Sequence, residues 1–254
     1  MRRPSELWSR SYRIPAIPFS ARTTDGIDLV GHRVGDGTIA LVFCHGFTGW
    51  HQKGRLVRFQ EELARWFAVY AFDLRGHGRS GGTSAFGALE HLDVEAVVAR
   101  ARADRFDRVV SVGGSMGGIA VIRHAALIGG VEAVVCISTP ARWSGHQSDA
   151  VRKMLWLTAT RGGERVLRAW GTRITRDWRR IEDPADVVER ISPIPLIVVH
   201  GRDDHFFDEE EAWLLYRRAN EPKRLLLSSR FGHAEDGYTP RFARRLATML
   251  GASG

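Results

Sequence analysis

Val112-Gly113-Gly114-Ser115-Met116-Gly117-Gly118 is the stretch that decides the fold. The run leading into it, Arg108 to Gly113, is short and valine-rich, as expected of a strand buried on both faces. The residues after it open a helix near Met116. Gly113, Ser115 and Gly117 therefore occupy a Gly-x-Ser-x-Gly spacing between a strand and a helix, a sharp turn that exposes a serine hydroxyl while glycines let the two elements approach closely. A glycine-rich turn at a helix start has the same composition, and the strand-turn-helix setting is what favours the catalytic reading.

Working outward, strand-like runs alternate with helix-like runs from about residue 39, the pattern of a parallel sheet covered by helices. Ile39–Cys44, Ala68–Asp73, Val131–Ser138 and Pro195–His200 join Arg108–Gly113 as strands, with Leu225–Ser228 a weaker one. Ile17–Thr23 and Ile27–Val34 flank the turn-forming Thr24-Asp25-Gly26 and read as an antiparallel hairpin at the sheet edge. Gly54–Trp66, Ala88–Ala103, Ile119–Ile128, Glu209–Ala219 and Pro240–Leu250 carry helical patterns. The alternation breaks once, between Pro140 and Pro195, where helical patterns run without a strand, so an inserted helical cap is expected there.

Two further segments bear on chemistry. His45-Gly46-Phe47 directly follows the strand ending at Cys44, where a loop amide can join the amide after the nucleophile in holding a developing oxyanion. Phe47 and Met116 are the candidate donors, and His45 is read as bracing the loop. Asp73-Leu74-Arg75-Gly76-His77-Gly78-Arg79-Ser80 follows the next strand and taken alone is a polar, glycine-rich turn.

In this order and strand spacing the three segments resemble the α/β-hydrolase superfamily, in its esterase, lipase and peptidase-like members with a cap after the sixth strand. The resemblance runs from about residue 20 to the end, except the cap. It implies a mostly parallel eight-stranded sheet with helices on both faces, with 1–141 and 191–254 as the two parts of the core and 142–190 as the cap. It also implies a Ser…Asp…His order. The family's acid usually lies three residues after the glycine of His200-Gly201-Arg202-Asp203-Asp204, which selects Asp204 and leaves Asp203 as the alternative. Of ten histidines, only His233 follows every strand and precedes a last helix; its Phe231-Gly232-His233 loop resembles the family's base position. His200 and His205 adjoin the acid too closely, and His32, His51, His91, His124 and His146 have packing or solvent explanations. In the family's sheet the nucleophile's strand separates Cys44 from Cys136 by about two spacings of ~4.8 Å, too far for a disulfide.

The resemblance thus implies a serine hydrolase of carboxylic esters with Ser115, Asp204 and His233 as triad and no cofactor or metal. The same machinery serves thioesters, amides, carbon–carbon bonds and acyl transfer. A dehalogenase would carry aspartate in place of Ser115, and a non-catalytic member would be marked by a lost triad position.

The 254 residues suit one core with a modest insertion, and 44% hydrophobic with 26% charged residues is ordinary globular composition. No apolar run spans a bilayer, and Met1–Trp8 lacks the apolar centre of a signal peptide, so a cytoplasmic location is expected. The net charge of +8 comes with only three lysines, Lys53, Lys153 and Lys223, and no nucleic-acid motif; no nucleic-acid partner is expected. Between Arg142 and Arg180 ten basic residues face three acidic ones, and Trp143, Trp156, Trp170 and Trp178 lie there too. A basic, aromatic lid suits a small acyl substrate with an anionic portion, against the plainer reading of solvated helix faces with at least half of the tryptophans packing. Trp50, just past the oxyanion loop, is a candidate for touching substrate. Nothing in the chain specifies oligomeric state.

Overall fold

The computed structural model describes residues 9–145, 148–175, 182–229 and 231–252. The strands are β1 (Ala16–Arg22), β2 (Asp28–Val34), β3 (Ile39–Cys44), β4 (Phe67–Phe72), β5 (Arg108–Gly114), β6 (Ala133–Ile137), β7 (Leu196–Gly201) and β8 (Lys223–Ser228). They form one sheet in the order β1-β2-β4-β3-β5-β6-β7-β8. β1 and β2 form the expected hairpin, antiparallel to each other, and β2 is antiparallel to β4; the remaining pairs are parallel. The weak strand near Leu225 is a full edge strand beginning at Lys223, half exposed, and its pattern is faint because only one of its sides has a neighbour.

Helices cover both faces. α1 (Gly54–Leu63) and α8 (Pro240–Met249) pack on Ile39, Leu41, Phe43, Val69 and Val110; α2 (His91–Ala103), α3 (Met116–Leu127) and α7 (Glu209–Arg218) pack on Ala40, Val42, Cys44, Tyr70 and Val134. Alternate residues of one strand thus feed two separate cores, which is why β3, β4, β6 and β7 are buried at every position. Helix α2 starts three residues later than its pattern suggests. Ala88 is instead tied into a turn by its N–H to the Ala85 carbonyl. Cys44 and Cys136 both face Gly113, one strand away on either side, so they stay buried free thiols.

Between β6 and β7 lie α4 (Asp149–Ala159), α5 (Arg161–Ala169) and the short α6 (Pro184–Val187). Ser148 and Thr160 cap α4 and α5 by accepting the Val151 and Gly163 amides. The expected cap ends earlier than residue 190: Ala185, Val187, Val188 and Ile191 belong to the main core, because α6 and the turn after it pack on α3. Residues 172–175 return along the 76–84 loop, exchanging backbone hydrogen bonds with Gly76 and Ser84.

The cap's charge is partly spent on structure. Arg142 is bound by Glu211, Arg152 by Asp149, and Arg173 donates to the Ser80 and Gly82 carbonyls. Lys153, Arg161, Arg165 and Arg168 are exposed. Trp156 and Trp170 are exposed rather than packed, and Trp143 is half-buried with its indole N–H on the Glu182 carbonyl, so of the three described cap tryptophans two are not used for packing. Met1–Trp8, His146, Arg176–Arg180 (with Trp178) and Arg230 lie outside the described residues. Among the described residues, no helix is long and apolar enough to cross a membrane.

Candidate active site

Parallel strands send their C-terminal loops to one edge of the sheet, and the candidate residues gather there. Ser115 sits between β5 and α3 at φ 53° and ψ −120°, a left-sided conformation that a non-glycine residue adopts only when its surroundings enforce it. The enforcement is close packing. A Cβ at Gly113 would lie 2.1 Å from the Gly117 carbonyl oxygen, and one at Gly117 2.4 Å from that of Cys44, so only glycine lets α3 leave the strand this tightly.

The loop expected to hold an oxyanion runs from His45 to His51 beside it. A Cβ on Gly46 would stand 3.4 Å from the Ser115 Cβ, so the loop and Ser115 are in contact distance. The Met116 amide, at the first turn of α3, has no intrahelical acceptor, and among the described residues neither it nor the Phe47 amide is hydrogen-bonded to protein. Both are free to donate.

Buried polar groups hold this loop. Leu74 N–H donates to His45 Nε2 at 3.1 Å, which leaves Nδ1–H to donate to the Gly46 carbonyl at 2.8 Å. Thr48 N–H donates to His77 Nε2 at 3.3 Å, while His77 Nδ1–H meets the Arg75 carbonyl at 2.9 Å. Asp73 accepts from the His51 backbone N–H at 2.8 Å and its ring at 2.7 Å with one oxygen, and from Arg79 N–H at 2.8 Å with the other. His51 Nε2 in turn meets His32 Nδ1 at 2.9 Å. Burial drives His77 down to about 3 and His45 below its ordinary value, so both rings stay neutral acceptors. Burial also opposes the Asp73 charge, but the His51 pairing outweighs it and holds the carboxyl at about 2.

On the far side of Ser115, β7 ends in the loop carrying the two aspartates. Asp204 is buried; it accepts the Phe206 amide at 2.8 Å and that of Phe207 at 3.2 Å, and it meets His233 Nδ1 at 2.8 and 3.0 Å. Burial pushes its carboxyl up, and the His233 bond together with the two amides overcomes that and keeps it below the usual range. Asp203 points to solvent, which separates the two adjacent aspartates. His233 lies against the Phe206 ring at 4.4 Å between centroids. His200 sits behind the acid, 3.9 Å from Asp204, and His205 lines the cavity without bonding to it.

Ser115 and His233 share a cavity of about 850 Å³ with Phe47, His205, Phe206 and the cap's Lys153 and Trp170. The structure joins His233 to Asp204 but forms no Ser115–His233 hydrogen bond, a gap common in unliganded sites that tightens with substrate. A second cavity of about 630 Å³ reaches Ser115 from the α3 side. Trp50 is not brought to either. Its indole N–H donates to Ser9 Oγ at 3.0 Å because the chain turns at Gly49, so the expected substrate contact is corrected to an anchor for the N-terminal segment. His51, by sequence an ordinary packing histidine, is a brace of this loop through Asp73. Its pairing with Asp73 has no local signal, since the two are 22 residues apart.

Residues 41–253 match the model of the alpha/beta hydrolase family. The chain belongs to that family. This alpha/beta hydrolase is 30% identical over 228 residues to the uncharacterized protein YfhR of Escherichia coli O157:H7, spanning 84% of this chain and 70% of that protein. Among solved structures it is similar to esterase Pf2001 of Pyrococcus furiosus, with TM-score 0.74, 22% identity and coverage of 99% of this chain and 96% of that one. It is also similar to esterase RhEst1 of a Rhodococcus species, with TM-score 0.75, 20% identity and coverage of 93% and 99%. The serine turn, the braced loop and the hydrogen-bonded Asp204–His233 pair of this alpha/beta hydrolase thus stand on a sheet shared with proteins named as esterases.

Proposed function

We propose that the protein is a serine hydrolase of carboxylic esters. The observation that carries this reading is the Asp204–His233 pair at 2.8 Å opening into the cavity that holds the Ser115 hydroxyl. Ser115 Oγ attacks the ester carbon while His233 Nε2 takes its proton and the carbonyl electron pair moves onto oxygen, where the Phe47 and Met116 amides receive it. The pair returns, the alcohol oxygen leaves, and His233 delivers the proton to it, with Ser115 now acylated. Water repeats the sequence and releases the acid. Asp204 holds the His233 tautomer and stabilises the imidazolium.

Lys153, the exposed cap cation lining the Ser115 cavity, supports a small acyl substrate with an anionic portion, and the similarity to proteins named as esterases supports the choice of bond. The test is labelling with a fluorophosphonate, then hydrolysis of 4-nitrophenyl esters. We expect one adduct on Ser115 and a fall in kcat of about 10⁶-fold in Ser115→Ala. Full hydrolysis by Ser115→Ala would end the proposal.

A further inference from the structure

The two cavities meeting at Ser115 differ in one respect that orients the substrate. We propose that the smaller cavity receives an apolar acyl chain and the larger one the leaving alcohol, and that the alcohol carries the anionic group. The inference rests on the Ser115–His233–Asp204 reading above and goes on to say which half of the ester lies where.

The first step is proton geometry. The general acid must reach the departing oxygen, so the alcohol lies on the side where His233 stands. His233 lines the larger cavity and not the smaller. The acyl carbon's other substituent then points into the smaller cavity, whose inner wall is Phe47, Phe86, Met116, Ile119, Val151 and Phe207. Those side chains offer an alkyl chain a surface that excludes water and offer a charge nothing.

The second step is charge. The smaller cavity is also lined by Glu182, paired with Arg190 at 3.3 Å, and by Asp183 and Asp186, which form no ion pair among the described residues, while its cation, Arg142, is already bound by Glu211. A carboxylate at the far end of an acyl chain would meet like charge. In the larger cavity Lys53 is paired with Glu235 at 3.0 Å, Arg55 with Asp236 at 2.6 Å, and Asp149 with Arg152. Lys153, on the same cap helix, has no acidic partner among the described residues. Its ammonium stands on the alcohol side, so an anion on the leaving group is the charge this arrangement accommodates.

The test uses matched esters: 4-(octanoyloxy)benzoate against the uncharged 4-(octanoyloxy)benzamide, with 4-(octanoyloxy)phenyl phosphate as a second anion. 4-Nitrophenyl octanoate against the 4-nitrophenyl half-ester of octanedioic acid places the charge on the acyl end. We expect kcat/KM to favour the anionic alcohols about fivefold or more at low salt, with the preference lost at high salt and in Lys153→Gln but kept in Arg168→Gln. The phosphate ester should share the preference, and equal kcat/KM for the charged and uncharged alcohols at low salt overturns the placement of the anion. The octanedioate half-ester should be hydrolysed about tenfold more slowly than the octanoate. Ile119→Phe, and independently Leu155→Trp at the more exposed end of the cavity, should lower the octanoate-to-acetate ratio about tenfold while Ser115 still takes fluorophosphonate. An unchanged ratio in both labelled variants, or a preference for the anion on the acyl end, overturns the assignment and leaves the serine hydrolase reading standing. Absence of the Ser115 adduct in the wild type overturns both.

Discussion

The 45–51 loop side and the cap side of the cavities are built by opposite means. On the loop side His45, His51, Asp73, Arg75, His77 and Ser80 are none more than 3% exposed, and their hydrogen bonds cross between two loops. On the cap side α4 buries only Val151 and Thr158, and α5 only Gly163 and Leu167. Preorganised donors need a frame that does not relax when charge develops, which a fully bonded buried network supplies. Helices that only face a substrate need less packing. Under the proposed function, chemistry would fall to the bonded loops and selectivity to the sparsely buried helices.

The sharpest way to break this contrast is at the acid. Asp204→Asn should lower kcat by about 10⁴-fold, because the amide no longer favours the needed His233 tautomer, while Asp203→Asn, altering a solvated neighbour, should leave kcat within a few-fold in the same ester assay. Equal losses in the two variants would contradict the separation seen in the structure. Next is Asp73→Ala, which strands the His51 ring and the His51 and Arg79 amides. It should cost about 3 kcal/mol in urea unfolding and lower kcat more than it raises KM.

A subtler probe is pH. His77 is held neutral at about 3, below its unfolded value of about 6.5, so the unfolded chain takes up a proton that the folded chain refuses. Its contribution is therefore present above pH 6.5 and is lost as pH falls from there toward 3. His77→Asn should be less stable at neutral pH and show a shallower stability loss over that window in parallel urea titrations. The smallest effect should come from the cap: Trp156→Gln, at a 55% exposed position lining neither cavity, should shift stability by about 0.5 kcal/mol or less. A larger loss would mean that the cap is as tightly built as the loops opposite it.

Much of this was legible beforehand because it is written locally. The turn at Ser115, the hairpin at Asp25-Gly26 and the strand runs each depend on residues a few positions apart, and periodicity with glycine spacing reports them. The cap boundary and the fates of Trp50 and His51 depend on partners far along the chain. Trp50 leans on Ser9 and His51 on Asp73, and α6 buries its apolar residues against α3 rather than in the cap.

The sequence by itself therefore determined the sheet, the order of its functional loops and the residue types available at each. The tertiary structure alone decided which aspartate meets His233, which histidines join His45 in bracing the 45–51 loop and which cavity His233 lines. The physical reason is range: backbone preferences and hydrophobic period act over a few residues, whereas a hydrogen bond between loops exists only after the sheet has brought their strands side by side.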